Sequence, residues 1–448
     1  LLLFSLIEKG QATETYRPET SVAGFIQLPG SGRQVYNFNP GWRFFKGDIH
    51  GAESVDFDDR SWTIVSTPHT VELMPAEASG CRNYQGPAWY RKHFVLPAET
   101  KGKRVLIHFE AAMGKQVLYL NGKRIQEHVG GYLPFTLDLT TNGIQAGDSC
   151  LLAIFVDNSN DKSFPPGKPQ YTLDFAYHGG IYRDVWMIAK SPVSITDPLD
   201  SQTVAGGGVF VHFDKISEKS AQVYVNTELQ NDNQHTETVT VETTLTDADG
   251  KVIKRTSGKL SLKSGEKKII RQQIEVKSPK LWSPDAPYLY KVQSRIKKGN
   301  QSIDGGITRI GIRLAEFRGK DGFWLNGKPF VQLVGVNRHQ DFAYVGNALP
   351  NSQQWRDAKR LRDAGCTIIR VAHYPQDPSF MDACDELGMF VIVATPGWQY
   401  WNKDVKFGEL VHQNTREMIR RDRNHPSVLM WEPILNETRY PLDFALKA

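Results

Sequence analysis

Polar and ionisable side chains directly follow three apolar segments in the last third of the chain. These groups are Asn337-Arg338-His339-Gln340-Asp341, Arg370 with His373-Tyr374, and Asn436-Glu437. A carboxylic acid, two imidazoles, a guanidinium and several amides that converge on one rim would suit proton transfer to a hydroxyl-rich substrate. The first hypothesis is therefore acid–base chemistry, with Glu437 as the group that donates and accepts the proton.

Each of these groups is weak evidence when it is taken alone. An Asn-Glu pair is expected roughly once by chance in a chain of this length. A histidine at the end of a strand is more often a structural residue whose ring nitrogens are hydrogen-bonded. The hypothesis therefore depends on whether the three groups lie at equivalent ends of neighbouring strands.

Strands and helices alternate after Arg313, as they do in a parallel sheet or a (β/α)8 barrel. The apolar pattern predicts strands at 330–336, 367–372, 389–394 and 428–431, and helices at 378–387, at 409–421 and between a cap at Ser352 and a stop at Gly365. The functional residues of a parallel barrel lie at the carboxyl ends of its strands, where all three groups fall. A four-stranded doubly wound sheet is the alternative, but no glycine-rich phosphate-binding turn accompanies it.

Two β-rich regions precede this part of the chain. Between residues 33 and 190, short apolar strands are separated by turn signals such as Asn121-Gly122, which predicts a jelly-roll sandwich. Between residues 191 and 313, strands such as 223–229 alternate apolar and polar residues, which predicts a small immunoglobulin-like sandwich. The predicted fold class is multidomain: an all-β jelly-roll sandwich, an immunoglobulin-like β-sandwich, and the first half of a (β/α)8 TIM barrel.

Both ends of the sequence bear on its predicted organisation. Residues 1–7 form an apolar run without an initiator methionine, so residues 1–22 are interpreted as a signal-peptide remnant and leader, with a loose first strand as the alternative. That interpretation predicts a periplasmic or secreted protein whose domains span 23–190, 191–313 and 314–448. Four parallel strands leave an open edge and an unfilled barrel interior, which predicts a fragment that ends within its catalytic domain.

Composition and charge exclude several classes of protein. The 448 residues carry a formal net charge of +5 without a sustained basic stripe, which argues against nucleic acid as a partner. No segment is long and apolar enough to span a membrane. The four cysteines match no metal-binding spacing, and Cys366 and Cys384 are interpreted as core residues. The expected partner is a carbohydrate, and a homo-oligomer is kept as an open alternative.

Longer motifs are distributed over nearly the whole chain from about Phe38 onward. Those of the first region include Gly41-Trp42-Arg43-Phe44, Trp89-Tyr90-Arg91-Lys92, Gly130-Gly131-Tyr132-Leu133-Pro134-Phe135 and Gly179-Gly180-Ile181-Tyr182-Arg183-Asp184. The second region closes with Leu281-Trp282-Ser283-Pro284-Asp285-Ala286-Pro287. The last carries Ile369-Arg370-Val371-Ala372-His373-Tyr374-Pro375 and Arg423-Asn424-His425-Pro426-Ser427, which leads on to Asn436-Glu437. In these motifs the chain resembles glycoside hydrolase family 2, which includes β-galactosidases, β-glucuronidases and β-mannosidases.

The resemblance implies a role for each candidate residue. Glu437 would be the general acid/base of a retaining glycosidase, and Asn436 would bind the sugar 2-hydroxyl, a contact that strengthens in the transition state. Arg370 would lie at the floor of the site, where it could hold a carboxylate and keep it ionised. His339 and His373 would lie around the bound sugar.

The resemblance also bears on Asp174 and on the nucleophile of the reaction. Asp174, seven residues before Ile181, falls where some family members reach from the jelly roll into the site, although a turn aspartate is an equally good interpretation. The family's nucleophile comes from a later barrel strand, so no Asp or Glu of this sequence is assigned that role. The chain as given is therefore predicted not to turn over substrate.

Two departures from the family pattern bear on metal and substrate. Galactosidases of the family that use magnesium carry acidic and histidine ligands after the third barrel strand, whereas residues 394–401 contain neither, so no cofactor is expected and dependence on magnesium is not supported. A small residue usually follows the tryptophan of the fourth strand, where this chain has Glu432-Pro433. The aromatic side chains of Trp398, Tyr400 and Trp401 are interpreted either as a platform for a sugar ring or as packing between helices.

The predicted function is therefore that of a retaining exo-β-glycosidase, of the β-galactosidase type, acting on oligosaccharides derived from polysaccharides. Within the family, β-glucuronidase and β-mannosidase remain alternatives. The alternative from another class is a non-catalytic carbohydrate-binding protein built on the β-sandwiches.

Overall fold

The computed structural model describes residues 19–20, 26–74, 83–173, 175–330 and 332–448. Two antiparallel sheets form its first domain. Its strands are β1 (Glu19–Thr20), β2 (Gln34–Asn37), β3 (Trp42–Lys46), β4 (Thr63–Val65), β5 (Pro87–Val95), β6 (Arg104–Phe109), β7 (Gly114–Leu120), β8 (Lys123–Gly130), β9 (Phe135–Asp138), β10 (Ser149–Asp157) and β11 (Val185–Lys190). One sheet has the order β1-β2-β11-β6-β9, and the other has the order β4-β3-β5-β10-β7-β8.

The interior of this sandwich is aromatic. The Trp42 ring packs edge-to-face on Phe38 and Tyr90, with centroids 5.8 and 6.4 Å apart. Phe109 stacks on Phe135 at 4.8 Å. All of these side chains are buried, since alternate residues of each strand face the opposite sheet. The predicted jelly-roll sandwich is confirmed.

The second domain is a smaller sandwich of two four-stranded sheets. Its strands are β12 (Val193–Ile195), β13 (Val209–Asp214), β14 (Ser220–Asn231), β15 (Glu237–Thr246), β16 (Val252–Leu262), β17 (Lys267–Lys277), β18 (Tyr290–Lys298) and β19 (Gln301–Ile310). β17 pairs with one edge of β14, and β12 and β13 pair with the other. The second sheet has the order β16-β15-β18-β19. The alternating sequences thus form the predicted immunoglobulin-like sandwich.

A parallel sheet with helices on one face forms the last domain. A small antiparallel sheet precedes it, made of β20 (Ala315–Phe317), β21 (Phe323–Leu325) and β22 (Lys328–Pro329). The parallel strands are β23 (Gly335–Arg338), β24 (Ile368–Val371), β25 (Phe390–Ala394) and β26 (Val428–Glu432), hydrogen-bonded in chain order. The helices are α1 (Asn351–Asp363), α2 (Pro378–Leu387), α3 (Val405–Asp422) and α4 (Leu442–Lys447). This is the strand–helix order of the first half of a TIM barrel.

The two faces of the parallel sheet have different surroundings. Ile369 and Val371 of β24 are fully buried against side chains of α1, α2 and α3. Ile368 packs in a separate cluster with Phe390 and the small antiparallel sheet. Because side chains alternate along a strand, Arg370 lies with Ile368 on the face away from the helices, here called the inner face.

An irregularity in β26 changes which of its side chains reach the inner face. Val391 pairs with Val428, but the next residue, Ile392, pairs with Met430, so Leu429 is an extra residue in the ladder. Val428 and Trp431 both pack on the helix side although they are three positions apart. A regular strand would place them on opposite faces, so the bulge turns the end of β26 by one position. Glu432 consequently shares the inner face with Arg370.

Some helices and strands of the barrel have the bounds predicted from the sequence, and others do not. α2 has the predicted bounds, because the Asp377 carboxylate caps its first turn and Gly388 ends it in a left-handed conformation at φ 72°. The strand predicted at 330–336 is wrong in position, since β23 occupies Gly335–Arg338. A Cβ at Gly335 would lie 1.7 Å from the Ile368 carbonyl oxygen, so this strand begins where only glycine allows the close approach.

Arg183 connects the jelly roll to the barrel. Its side chain is fully buried and donates to the carbonyl oxygens of Tyr132 at 3.0 Å and Pro375 at 2.8 Å, and to the Gln340 side chain at 2.9 Å. The Asp377 carboxylate lies 3.8 Å away and balances the charge. A buried guanidinium is stable only with such partners, so these bonds fix the two domains in one arrangement. No helix among the described residues has the length and apolar character needed to cross a membrane.

Candidate active site

Glu437 lies five residues beyond β26, on the loop that leaves the carboxyl end of the parallel sheet. Its carboxylate accepts hydrogen bonds from Gln399 Nε2 at 2.6 Å and Trp398 Nε1 at 3.3 Å. The side chain is exposed to solvent, and its backbone has a φ of 49°. A left-handed conformation is uncommon for a residue with a side chain, so the surrounding loops hold this carboxylate in a specific direction.

The same contacts determine the charge state of Glu437. The hydrogen bond from Gln399 is the largest influence, and together with the bond from Trp398 and the charges of His373 and Arg370 it holds the pKa of Glu437 below its ordinary value. Hydrogen bonds to a carboxylate stabilise its ionised form. In this structure the carboxyl group of Glu437 is therefore held in its ionised form.

Asn436 is joined to the loop that follows β25. Its carbonyl oxygen accepts a bond from Gln399 N at 3.0 Å, and it pairs with Trp398 in a parallel bridge. The two loops thus continue the parallel ladder beyond the ends of β25 and β26. This extension brings Trp398 and Gln399 to Glu437.

The two candidate histidines lie side by side in an aromatic cluster. The His373 ring stacks on Trp398 with a centroid distance of 5.7 Å and an angle of 4°. His339 stacks on Phe175 at 4.8 Å, and its Nδ1 lies 3.2 Å from the Tyr374 hydroxyl. The His339 and His373 centroids are 5.7 Å apart. The structure therefore brings both imidazoles to the end of the sheet that carries Glu437.

Arg370 forms an ion pair with Glu432, a residue for which the sequence predicted no role. Its Nε and Nη2 donate to the two oxygens of Glu432 at 2.9 and 2.6 Å. The remaining contacts are longer, 3.4 Å to the Asn337 side chain and 3.5 Å to His373 Nδ1. Arg370 thus lies on the inner face beside His373, and the carboxylate that it holds among the described residues is Glu432.

The jelly roll also contributes to the site. Lys168 donates to the Gln399 side-chain oxygen at 2.6 Å, and its ammonium lies 3.7 Å from the centre of a Trp398 ring. Phe175 contacts His339, His373 and Trp398. Asp174, the jelly-roll residue that the sequence suggested, lies outside the described residues.

The aromatic trio after β25 divides between two roles. Trp398 belongs to the site through its contacts with His373 and Glu437. Tyr400 packs edge-to-face on Phe407 of α3, and Trp401 packs on Phe444 of α4 with a centroid distance of 4.5 Å. The packing interpretation therefore applies to Tyr400 and Trp401, whereas Trp398 lies in the candidate site.

Side chains of metal-ligand type also occur at a distance from this site. Ligand atoms of Asp382, Asp385 and His425 lie within 4.8 Å of one another. Two cations are already present, because Arg309 contacts Asp382 at 2.5 Å and His425 Nδ1 lies 2.6 Å from Asp385. Burial alone would lower the pKa of His425, but the Asp385 charge and hydrogen bond raise it to about 9. A protonated imidazole cannot ligate a metal, so this group is interpreted as a salt-bridge cluster.

Sequence reasoning missed Lys168, Phe175, Gln399 and the pairing of Glu432 with Arg370. Lys168 and Phe175 carry no local signal, since they reach the site only through the packing of the jelly roll on the barrel. The sequence drew attention to Trp398, but it gave no separate signal for Gln399, the next residue. The sequence showed Glu432 where the family usually has a small residue. The face to which its side chain points depends on the bulge at Leu429, which the sequence did not show.

Three models of one family match the chain in succession. The sugar-binding domain of glycosyl hydrolases family 2 matches residues 52–192, the family 2 model matches residues 207–313, and the family 2 TIM barrel domain matches residues 317–446. The chain belongs to glycosyl hydrolase family 2. It spans about half the length of the curated relatives that it matches.

Relatives of this family 2 chain carry two kinds of name. It is 36% identical to a β-galactosidase from Thermoanaerobacter pseudethanolicus, over 92% of this chain and 53% of the relative. It is 32% identical to a β-glucuronidase from Formosa agariphila, over 90% of this chain and 42% of the relative.

Two solved structures are similar to this chain in fold. The structure of Bacteroides uniformis β-glucuronidase 2, covalently bound to cyclophellitol-6-carboxylate aziridine, is 32% identical with a TM-score of 0.80, over 89% of this chain and 46% of that one. A family 2 member from Bacteroides cellulosilyticus is 30% identical with a TM-score of 0.80, over 92% of this chain and 54% of that one.

Proposed function

We propose that the full-length protein is a retaining exo-β-glycosidase in which Glu437 is the general acid/base. The observation that carries the proposal is the position of Glu437 beyond the fourth parallel strand, bonded to Trp398 and Gln399 and grouped with Arg370 and His373. Ionisable and aromatic groups at the carboxyl ends of barrel strands suit the binding and protonation of a sugar.

The proposed reaction has two steps. In the first, protonated Glu437 gives its proton to the glycosidic oxygen while a second carboxylate attacks the anomeric carbon, and the aglycone leaves as an alcohol. In the second, ionised Glu437 takes a proton from water, which displaces the enzyme carboxylate and releases the sugar with its configuration retained. A carboxylate about 5–5.5 Å away would raise the pKa of Glu437 by like-charge repulsion, which offsets the effect of its present hydrogen bonds.

The second carboxylate is proposed to lie in the remainder of the full-length protein. The matched relatives are about twice as long as this chain. The covalent ligand on the related β-glucuronidase supports a covalent intermediate in this family. Asn436 is proposed to bind the 2-hydroxyl of the sugar, and His339 and His373 are proposed to contact its other hydroxyl groups.

The preferred sugar is proposed to be β-galactose, with oligosaccharides derived from polysaccharides as the source. Names of relatives support galactosidase and glucuronidase about equally, and the 36% identity to a β-galactosidase gives a slight preference. Comparing nitrophenyl β-galactoside, β-glucuronide and β-mannoside on the full-length protein would decide among them. Independence of a divalent metal is proposed because residues 394–401 carry no carboxylate or imidazole, and export to the periplasm or beyond is proposed from the apolar sequence at residues 1–7.

The test of the acid/base assignment is Glu437→Ala in the full-length protein. With a poor leaving group, kcat/KM should fall by about 10²–10⁴-fold, the usual contribution of general acid–base catalysis. With dinitrophenyl glycosides the bond-breaking step should be nearly unchanged, because this leaving group needs no proton, and added azide should raise kcat and give a β-glycosyl azide.

Glu409→Gln is the matched control, since Glu409 is an exposed residue of α3. Parental kcat/KM of the Glu437 variant on the substrate with the poor leaving group would refute the assignment. An unmodified protein that binds sugars without hydrolysing any of the substrates would favour the carbohydrate-binding alternative.

A further inference from the structure

Glu432 occupies a position that depends on the bulge in β26. The extra residue Leu429 shifts the ladder by one, so Glu432 points to the inner face and Trp431 to the helices. Without the bulge, regular alternation would exchange the two side chains. Bulges of this kind often redirect one functional side chain beside an active site.

The contact that results is the strongest that Arg370 makes among the described residues. Both carboxylate oxygens of Glu432 accept from the guanidinium, at 2.6 and 2.9 Å, which is a bidentate charge-assisted pair. Each side chain is 22% exposed, so the pair is partly shielded from solvent. A bidentate pair fixes the plane of the guanidinium as well as its position.

Arg370 is connected to Glu437 through two aromatic rings. Its Nη2 lies 3.5 Å from His373 Nδ1, and the His373 ring stacks on Trp398. The Trp398 Nε1 atom donates to Glu437. Arg370 and His373 are also the two charges that favour the ionised form of Glu437.

The charge of Arg370 opposes the first step of the proposed reaction. A general acid must carry its proton when the substrate arrives, and a nearby cation makes the proton easier to lose. An anion paired with that cation reduces its field at a distance. Glu432 is the anion that is placed to do so.

We propose that Glu432 is a positioning residue that holds Arg370 in place and compensates its charge, so that Glu437 keeps its proton over the working pH range. This inference rests on the proposed function. Among the described residues, His373 contacts Arg370, His339 lies beside His373, and Lys168 of the jelly roll lies over Trp398. Lys168 and a protonated histidine would act in the same direction as Arg370, and Glu432 opposes them.

Glu432→Gln in the full-length protein tests the inference, because the amide keeps the shape of the side chain and removes its charge. The basic limb of the kcat/KM profile, measured with a poor leaving group, should move to lower pH by about half a unit or more. With a dinitrophenyl glycoside the limb should not move, since no proton is needed for departure. Glu432→Asp, which keeps the charge, should leave the limb near its parental position even if kcat falls.

The outcomes separate this inference from the function on which it rests. A Glu432→Gln profile that superimposes on the parental one would overturn the inference, and so would equal shifts in the Gln and Asp variants. If Glu437→Ala also behaves like the parent, the proposed function fails as well. Glu409→Gln controls for loss of a carboxylate elsewhere, and thermal unfolding of each variant confirms that folded proteins are compared.

Discussion

At the scale of single residues, the candidate site is defined by the hydrogen bonds that Trp398 and Gln399 donate to the carboxylate of Glu437. Glu437 and Gln399 both have left-handed backbones, with φ of 49° and 50°. Such conformations cost about 1–2 kcal/mol each for residues with a side chain, and they persist where neighbouring structure enforces them. Here the two loops enforce them on each other, since Gln399 bonds both the backbone of Asn436 and the carboxylate of Glu437.

Removing the amide of Gln399 should make Glu437 a weaker acid. Its hydrogen bond is the largest influence that lowers the pKa of Glu437, so Gln399→Ala should raise that pKa and move the basic limb of kcat/KM to higher pH. The direction is opposite to that expected for Glu432→Gln.

The pH profile of the full-length protein with a poor leaving group provides the measurement. Gln413→Ala is the matched control, because Gln413 donates to Glu417 at 2.7 Å on the exposed side of α3. A limb that moves to lower pH in Gln399→Ala would contradict the role given to this hydrogen bond.

At the scale of elements, one ion pair joins α2 to the turn that precedes β26. His425 Nδ1 contacts the Asp385 carboxylate at 2.6 Å, and the same carboxylate accepts from Ser427 N at 3.1 Å. The bonds fix the start of the strand whose far end carries Glu432 and leads to Glu437.

This pair should stabilise the fold in a pH-dependent way. The pKa of His425 is about 9 in the folded protein and near 6.5 in an unfolded chain, so the folded state binds the proton more tightly. The stabilisation is complete below about pH 6.5 and is lost as the pH rises through 9. The difference in Tm between the parent and His425→Asn should therefore shrink over that interval.

Thermal unfolding of both proteins from pH 6 to 10 tests this expectation. His235→Asn is the control, since His235 is an exposed histidine beside Glu237 and such pairs contribute little. A Tm difference that stays constant, or grows with pH, would contradict the assignment of a protonated His425.

The sequence predicted these elements to different extents. α2 was placed correctly because Pro378 and Gly388 mark its ends in the local sequence. β23 was misplaced because an apolar run does not show where the neighbouring backbone approaches closely, as it does at Gly335. The bulge at Leu429 was invisible, since one extra apolar residue leaves the hydrophobic pattern of β26 unchanged. Lys168 reaches Gln399 from 231 positions away, and no local pattern encodes such a contact.

At the scale of the whole molecule, Arg183 determines how the jelly roll lies on the barrel. Arg183→Ala would remove three hydrogen bonds and leave Asp377 buried without its charge partner. Losing one member of a buried pair costs about 3–5 kcal/mol. We expect a clearly lower Tm and faster proteolysis between the domains.

Limited proteolysis and thermal unfolding of the full-length protein measure both effects. Arg60→Ala is the control, because Arg60 pairs with Asp58 at an exposed position, where an ion pair contributes little to stability. Equal behaviour of the two variants would show that Arg183 does not hold the domains together.

The contacts of Lys168 and Phe175 have a consequence for how such proteins diversify. These two side chains of the jelly roll lie against Trp398, Gln399 and His373 of the barrel, which come about 200 positions or more later in the sequence. Recombination that exchanges the jelly roll between relatives would therefore also exchange part of the wall of the candidate site. Any substrate preference that this wall determines would be inherited with the jelly roll, and new preferences could arise without any substitution in the barrel.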